Sequence, residues 1–272
     1  MSATGHEERL PRELDALEAL PRPVYGHVEA LPNRVIGYRH SHRWAQLSYA
    51  ARGVVEVRTQ GALFVAPPQR ALWIPAHVRH RVRTAAGTEV RSLYIRPEAV
   101  PDMPGVCRVL HVDPLLRELV RAFGELPVEY DEAGAHGRLA AVLLDRLAAA
   151  PEAGLMLPLP QDRRLRRVCR ALQARPDSAL SLAQWAQRLA TSEKTLSRLF
   201  RQQTGMSFRL WRQRARLLGA LPLLERGERV TDVALACGYD SLSAFIAVFR
   251  EQFGATPGEF AAQGRRGAMG SG

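Results

Sequence analysis

Cysteine is scarce in this chain. Among 272 residues there are three, Cys107, Cys169 and Cys237. They are too far apart for a C-x-x-C pair, which excludes a disulfide framework or a zinc ribbon and fits a reducing cytoplasm. Lysine is scarcer still: Lys194 is the only one, so positive charge comes almost wholly from arginine. No run approaches the roughly 18 apolar residues of a membrane span. The first residues carry Glu7, Glu8 and Pro11 where a signal peptide would have an apolar core. The reading is a soluble, cytoplasmic protein with no membrane partner. Also missing are a nucleophile elbow, a glycine-rich phosphate loop and paired carboxylates near the histidines. Glu56 and Glu89 are the nearest acids, and neither stands at motif spacing. No catalytic residue is assigned, and the chain is not read as an enzyme.

What is present is an ordinary globular composition, 46% hydrophobic with 7% aromatic, in a chain long enough for two domains. The net charge of +11 is unevenly placed: residues 1–160 carry 19 Arg against 18 acids, whereas 161–272 carry 19 Arg plus Lys against 9. A basic excess confined to one half is the footprint of a polyanion binder, because neutralising phosphates releases counterions.

That basic half contains one pattern twice. Leu182 to Gly205 is echoed by Val230 to Gly254, with Ala186 matching Ala234, Ala190 matching Gly238, Ser192 matching Ser241 and Phe200 matching Phe249. Each copy reads as a short helix, a tight turn and a second helix that opens on Ser and closes on Gly. This is the helix-turn-helix arrangement that places a helix in the DNA major groove. In the first copy Leu196, Leu199, Phe200 and Gln203 share an inward face, leaving Lys194, Ser197, Arg198 and Arg201 outward. Arg198 has the geometry for a bidentate pair with guanine. In the second copy Phe245, Val248, Phe249 and Phe253 are read as inward, with Ser241, Ser243, Ile246, Ala247 and Arg250 outward. That face is poor in hydrogen-bonding groups and suited to thymine methyls. The competing reading is that both faces are merely solvated. About twenty residues, Ser207 to Arg226, join the copies; as a helix they span roughly 30 Å, near one turn of duplex. A kink is predicted at Pro222.

These residues resemble the C-terminal domain of the AraC/XylS family of transcription regulators. The resemblance covers about residues 162–262. It rests on Ala186, Leu189, Leu196, Phe200, Thr204 to Phe208, Val233-Ala234, Cys237-Gly238-Tyr239, Phe245, Phe249-Arg250 and Gly254 to Phe260. It implies a seven-helix domain with two helix-turn-helix units on promoter DNA, base contacts falling on Lys194, Ser197 and Arg198 and on Ser243, Ile246 and Ala247. Ala247 stands where many members have Arg.

The other half reads as strands: 34–40, 44–50, 53–59, 62–66, 71–74, 81–84 and 90–96, broken by glycine and proline, which argues for a small antiparallel barrel or sandwich. Two helices follow. One starts at Asp113-Pro114 with Leu115, Leu116, Leu119 and Phe123 as its stripe; the other spans His136 to Ala149 with Leu139, Val142, Leu143 and Leu147. His40-Ser41-His42, Gln46, Gly53, and then Pro75 and His80, resemble the two-part cupin signature, with His77 in place of the usual glycine. In enzymes of that superfamily two histidines, a carboxylate and a distant histidine converge on a divalent metal. His40 and His42 point the same way from one strand. Three readings stand: a divalent metal on His40, His42 and His80; an organic-effector pocket that includes His40, His42, Gln46, Trp73 and His80; or structural histidines. Arg39, Arg43, Arg79, Arg81 and Arg83 favour an anionic effector if any points inward. Tyr38, Trp44 and Tyr94 are candidate walls.

The predicted class is a two-domain α+β chain: an N-terminal antiparallel β cupin-like barrel with following helices, then a C-terminal all-α domain of two helix-turn-helix units. The predicted boundaries are a mobile N-terminus (1–20, with a short helix over 13–20), the sensing domain (21–112), a helical pair that dimerises or covers the barrel (113–150), a linker (151–161), the DNA-binding domain (162–262) and a tail (263–272). The function read from this is transcription regulation under control of a small-molecule effector, the partners being double-stranded promoter DNA, a second copy of the chain and, for an activator, RNA polymerase. The rivals are a cupin metalloenzyme with a DNA-binding appendage and a sequence-indifferent architectural binder.

Overall fold

The computed structural model describes residues 19–26, 37–84 and 88–262. The expected helix over 13–20 falls almost wholly outside them, as does the tail; of the strand expected at 34–40, residues 37–40 are described, and there only His40 is bridged, to His80. The chain divides into two compact units, one of residues 1–59 and 64–155, the other of 60–63 and 156–272.

The first unit is built on antiparallel strands: β1 (Val24–Tyr25), β2 (Ala45–Arg52), β3 (Val55–Arg58), β4 (Ala62–Ala66), β5 (Arg70–Ile74), β6 (Arg81–Thr84), β7 (Glu89–Ile95) and β8 (Arg108–His111). One sheet runs in the order β1-β7-β2-β5-β8, and in a second β6, β3 and β4 are neighbours. Short β1 and β8 lack a clear alternating pattern and were not predicted. β2 is central, pairing Gln46 with Ile74 on one side and with Tyr94 on the other. Its alternation divides the unit. Ala45, Leu47 and Tyr49, with Trp73, Leu93 and Ile95 from the flanking strands, form one face. That face is covered by two helices, α1 (Pro114–Phe123) and α2 (Ala135–Ala148), through Leu116, Leu119, Val120, Phe123, Leu143 and Leu147. Asp113 caps α1, accepting from Leu116 N at 2.8 Å, and Arg146 of α2 donates to the same carboxylate. Two residues of the predicted stripes lie outside: Leu115 is 52% exposed and Val142 44%. Each sits at the edge of an apolar arc that the sheet is too narrow to cover.

The second unit holds helices α3 (Arg163–Ala174), α4 (Leu182–Arg188), α5 (Glu193–Thr204), α6 (Phe208–Glu225), α7 (Val230–Ala236) and α8 (Leu242–Phe253), and residues 257–262 are helical again. Serines begin four of these helices. Ser181, Ser192, Ser207 and Ser241 each accept a bond from the backbone N–H three residues on, satisfying an amide that the helix itself leaves free. From Met156 onward the segment expected as a linker is tied down within this unit. Met156–Pro158 is a short strand, Leu159 N donates to Gly61 O at 2.7 Å, and Trp211 Nε1 donates to Pro158 O at 2.7 Å. Gln161 N and Asp162 N both donate to Gln203 Oε1 at 2.9 Å, so Gln203 serves as a clamp. The helix α6, in which a kink is expected at Pro222, runs through that residue to Glu225. Pro222 lies in the last turn, where only one helical bond is lost.

The two copies agree in backbone as well as in sequence. Thr191 N donates to Ala186 O and Tyr239 N to Ala234 O at corresponding turns. The residue before each donor is left-handed, Ala190 at φ 49 and Gly238 at φ 77. Alanine there carries a steric cost of about 1–2 kcal/mol that glycine avoids. A side chain at Gly238 would also meet Asp177 Cα and Pro176 O at 2.8 Å. Ala190→Gly is therefore expected to raise unfolding stability by up to about 1 kcal/mol, and Gly238→Ala to lower it by more than about 2 kcal/mol. Urea midpoints of the two variants check this; a stabilised Gly238→Ala would contradict the matched turn.

Candidate nucleic-acid interface and histidine cluster

The basic face of the second unit is produced by what its helices bury. On α5 Leu196, Leu199, Phe200 and Thr204 are buried, the last anchored by its hydroxyl to Phe200 O at 2.6 Å. Phe200 packs edge-on against Phe208 and Trp211. The rest of the helical turn necessarily faces out: Lys194, Arg198 and Arg201 are exposed and Ser197 is half-buried. None of the three cations has an ion-pair partner among the described residues. Arg198 instead reaches along its own helix to Gln202 Oε1, at 3.5 Å. Exposed and without ion-pair partners, these groups leave donors available to a polyanion.

On α8 the buried ridge is Phe245 and Phe249, with Phe253 and Phe260 against Phe249. Val248 and Phe253, expected inward, are half-buried, because the short α7 covers only part of that face. Ser241, Ser243, Ala247 and Arg250 are exposed and Ile246 is half-buried. The surface is small and nearly neutral, with Arg250 as its one cation. Sequence reading passed over a further basic stripe, Arg163, Arg166, Arg167 and Arg170, all exposed on α3. Their i, i+3, i+4, i+7 spacing was the available signal.

In the first unit two short extended segments hold the histidines. His40 and His80 exchange backbone bonds at 2.9 and 2.8 Å, and His77 N donates to His42 O at 2.7 Å. His77 occupies the glycine position of the cupin pattern and has the left-handed φ of 63 that a glycine would favour. Alternation then places His40, His42 and His80 inside and Arg39, Arg43, Arg79, Arg81 and Arg83 outside, all five exposed. The expected inward arginine is therefore absent among these five, and their charge cannot select an anion inside the unit.

One ring nitrogen from each of His40, His42 and His80 lies within 4.8 Å of the others. Each Nδ1 is engaged with a main-chain carbonyl: Tyr38 O at 3.1 Å, Trp44 O at 2.6 Å and Val78 O at 2.8 Å. A carbonyl only accepts, so Nδ1 carries the proton in all three rings and Nε2 keeps its lone pair. Gln46 Oε1 stands 3.0 Å from His42 Nε2, Gln46 Nε2 donates to Ser48 Oγ at 3.1 Å, and Ser48 Oγ is bonded to Ser92 Oγ at 2.9 Å. Ser48 and Ser92 were missed from sequence, although β2 alternation puts Ser48 on the Gln46 face and register pairs it with Ser92. Trp73 requires a correction. It pairs with Leu47 on the helix-covered face of the sheet and donates from Nε1 to Pro104 O at 3.0 Å. Parity on β5 thus puts it opposite the histidines, in the core. A groove of about 210 Å³ is lined by Arg91, Ser92, Leu93, Val120 and Gly124.

Each half of the chain also matches a family model. A helix-turn-helix domain model matches residues 185–263 and an AraC-like ligand binding domain model matches 23–147. The HTH-type transcriptional regulator NimR of Escherichia coli K12 is 38% identical over 224 residues, which are 82% of this chain and 82% of that protein. The arabinose operon regulatory protein of the same strain is 30% identical over 236 residues, 79% of this chain and 80% of that one. Among solved structures, a DNA-binding transcriptional dual regulator from Escherichia coli K-12 matches at 31% identity and a TM-score of 0.36, over 39% of this chain and 96% of that chain.

Burial holds the histidines neutral. Desolvation lowers His42 from its ordinary value near 6.5 to about 4 and His80 to about 3, with repulsion from neighbouring imidazoles adding to it, and it lowers His40 as well. The unfolded chain therefore binds more protons than the folded one in acid. The stability these rings contribute is fully present above about pH 6.5 and is lost as pH falls through that value, toward about 4 for His42 and about 3 for His80, at about 1.4 kcal/mol per pH unit for each of these two rings. Urea midpoints of the metal-free protein at pH 7.5, 6 and 5 are expected to fall progressively. His80→Phe should flatten that dependence, and an equal slope in the variant would exclude His80 as a cause.

Proposed function

The chain belongs to the AraC family of transcription regulators, and on that premise we propose how its two units divide the work. It is a DNA-binding transcription regulator with an N-terminal ligand-binding domain. In our reading α5 reads sequence: Arg198 pairs with guanine, Lys194 and Ser197 reach neighbouring base edges or phosphates, and Arg201 holds the backbone. The α8 face, with Ser241, Ser243, Ile246, Ala247 and Arg250, anchors the second copy in an adjacent groove and contributes apolar contacts to thymine. The observation that carries this division is the contrast between three unpaired exposed cations on one helix and one on the other. The 18 residues of α6 span about 27 Å as a helix, near the pitch of duplex DNA, which suits one groove per copy.

The N-terminal unit binds the effector on this reading, and promoter engagement responds to it. A second copy of the chain is the proposed partner of α1 and α2, supported by exposed Leu115 and Val142 on helices whose other faces are already used. RNA polymerase is the further partner if the regulator activates, and the cytoplasm is where it acts. No helix among the described residues is long and apolar enough to cross a membrane. The metalloenzyme alternative gains no support from relatives that are regulators.

Footprinting in excess random DNA tests the reading: protection of a defined site of two or more helical turns is expected, and uniform protection would indicate an architectural binder instead. Arg198→Ala is expected to cost about 1–3 kcal/mol on the selected site with little change on random DNA. Arg250→Ala is expected to weaken both alike, with a salt slope shallower by about one phosphate. Equal behaviour of the two variants would remove the division of labour between α5 and α8.

A further inference from the structure

The helix α3 carries Arg163, Arg166, Arg167 and Arg170 on one exposed face. None of the four has an ion-pair partner among the described residues, and the acid beside them, Asp162, is already bonded to Arg164. Residues three and four apart are neighbours on a helix, so each of these arginines stands next to others of like charge, which disfavours the helix. Its opposite face holds it in place: Leu165, Val168, Cys169 and Leu172 are buried, and α3 packs against α6 and α5. The arginines therefore point away from both helices. In addition, α3 lies behind the face of α5 that is read as entering the groove. Its start is held by Gln203 Oε1, which accepts from Gln161 N and Asp162 N. Helical geometry sets Gln203 roughly 140–180° round α5 from Lys194, Arg198 and Arg201. A duplex on that face of α5 leaves the α3 arginines uncovered.

We propose that this stripe is a docking surface for the acidic helical face of a second protein, open while the chain is bound to its promoter. Seven residues of rise separate Arg163 from Arg170 by roughly 10 Å along the axis. Carboxylates at the same i, i+3, i+4, i+7 spacing on a partner helix can therefore face all four guanidinium groups. Guanidinium meets carboxylate through two parallel hydrogen bonds, and that pairing removes the repulsion along the stripe. A single exposed pair contributes little, so recognition depends on the whole set. A second copy of this chain does not supply the complement: among the described residues no helix carries more than one acid. The phosphates of the duplex are the other anions at hand, and the direction of the stripe turns it from them.

This surface goes beyond the DNA-reading assignment and rests on it for the side on which the duplex lies. The test uses the full chain on its selected DNA site and a fluorescein-labelled, alanine-based helical peptide with glutamates at that spacing. A peptide of the same composition, with its glutamates spread round the helix, is the control. Fluorescence anisotropy is expected to show uptake of the striped peptide by the protein–DNA complex, with the footprint unchanged. Arg166→Gln combined with Arg170→Gln is expected to lower that affinity at least about fivefold, two of the pairs being lost, while the footprint and the salt slope of DNA binding stay as they were. Arg175→Gln combined with Arg226→Gln removes the same charge from ion-paired positions and is expected to leave peptide uptake intact. Equal binding of the two peptides, or equal losses in the two double variants, would reduce the stripe to net charge and overturn the proposal. Release of the duplex by the peptide, or a salt slope shallower by about two in the first double variant, would make the stripe a contact to the DNA backbone and overturn it as well. A parent chain that protects its DNA site yet takes up no striped peptide loses this surface alone. One that protects no site loses the α5 assignment, and with it the direction given to the stripe.

Discussion

Every functional surface of this protein is the reverse side of a buried one. A strand alternates with period two and a helix turns with period 3.6, so committing one face to the core commits the other to a defined direction. On β2 the burial of Ala45, Leu47 and Tyr49 beneath α1 and α2 sends Gln46 and Ser48 the other way, toward the histidines. On α5 the burial of Leu196, Leu199 and Phe200 leaves Lys194, Arg198 and Arg201 no place but solvent. The same constraint sets the five arginines around the histidines outside and the imidazoles inside.

The two helix-turn-helix copies share a skeleton and differ in what they offer. Serine caps, left-handed turns and a buried phenylalanine, Phe200 and Phe249, recur at matched positions, since those features make the motif fold. The outward residues are under no such constraint, and there the copies diverge, three cations against one. The same duplication explains why Ala190 tolerates a conformation that Gly238 meets without strain. At the second turn Arg216, Asp177 and Pro176 crowd the position, whereas Ala190 keeps its side chain. A clamp at Gln203 and a bond from Trp211 to Pro158 bind residues 156–162 into the helical unit. A stretch that holds Pro158 and Pro160 thus acts there as structure.

Much of this was legible in the chain. The strands at Ala62–Ala66 and Arg81–Thr84 and the start of α1 at Pro114 were read where they lie, because alternation and a capping Asp before Pro are local signals. Helical period alone gave the exposed Lys194, Arg198 and Arg201 on α5 and Ser243, Ala247 and Arg250 on α8, while Ser197 and Ile246 are half-buried. The failures share a cause. Leu115 and Val142 were placed inside by a pattern that ignores how wide the covering sheet is. Trp73 was placed with the histidines because parity on β5 is only meaningful once its register with β2 is known. Ser48 and Ser92, 44 residues apart, belong together only through strand pairing.

By itself the sequence determined the class of each half, the duplication, the basic character of the second half and the identity of the three histidines, since all of these are properties of composition, period and spacing along one chain. The tertiary structure decided which of those residues meet. Only pairing between distant segments brings His80 to His40 and His42, and only packing turns Trp73 into core. Periodicity specifies the direction of a side chain relative to its own element; the partner it finds there depends on an element distant in sequence, which no local pattern encodes.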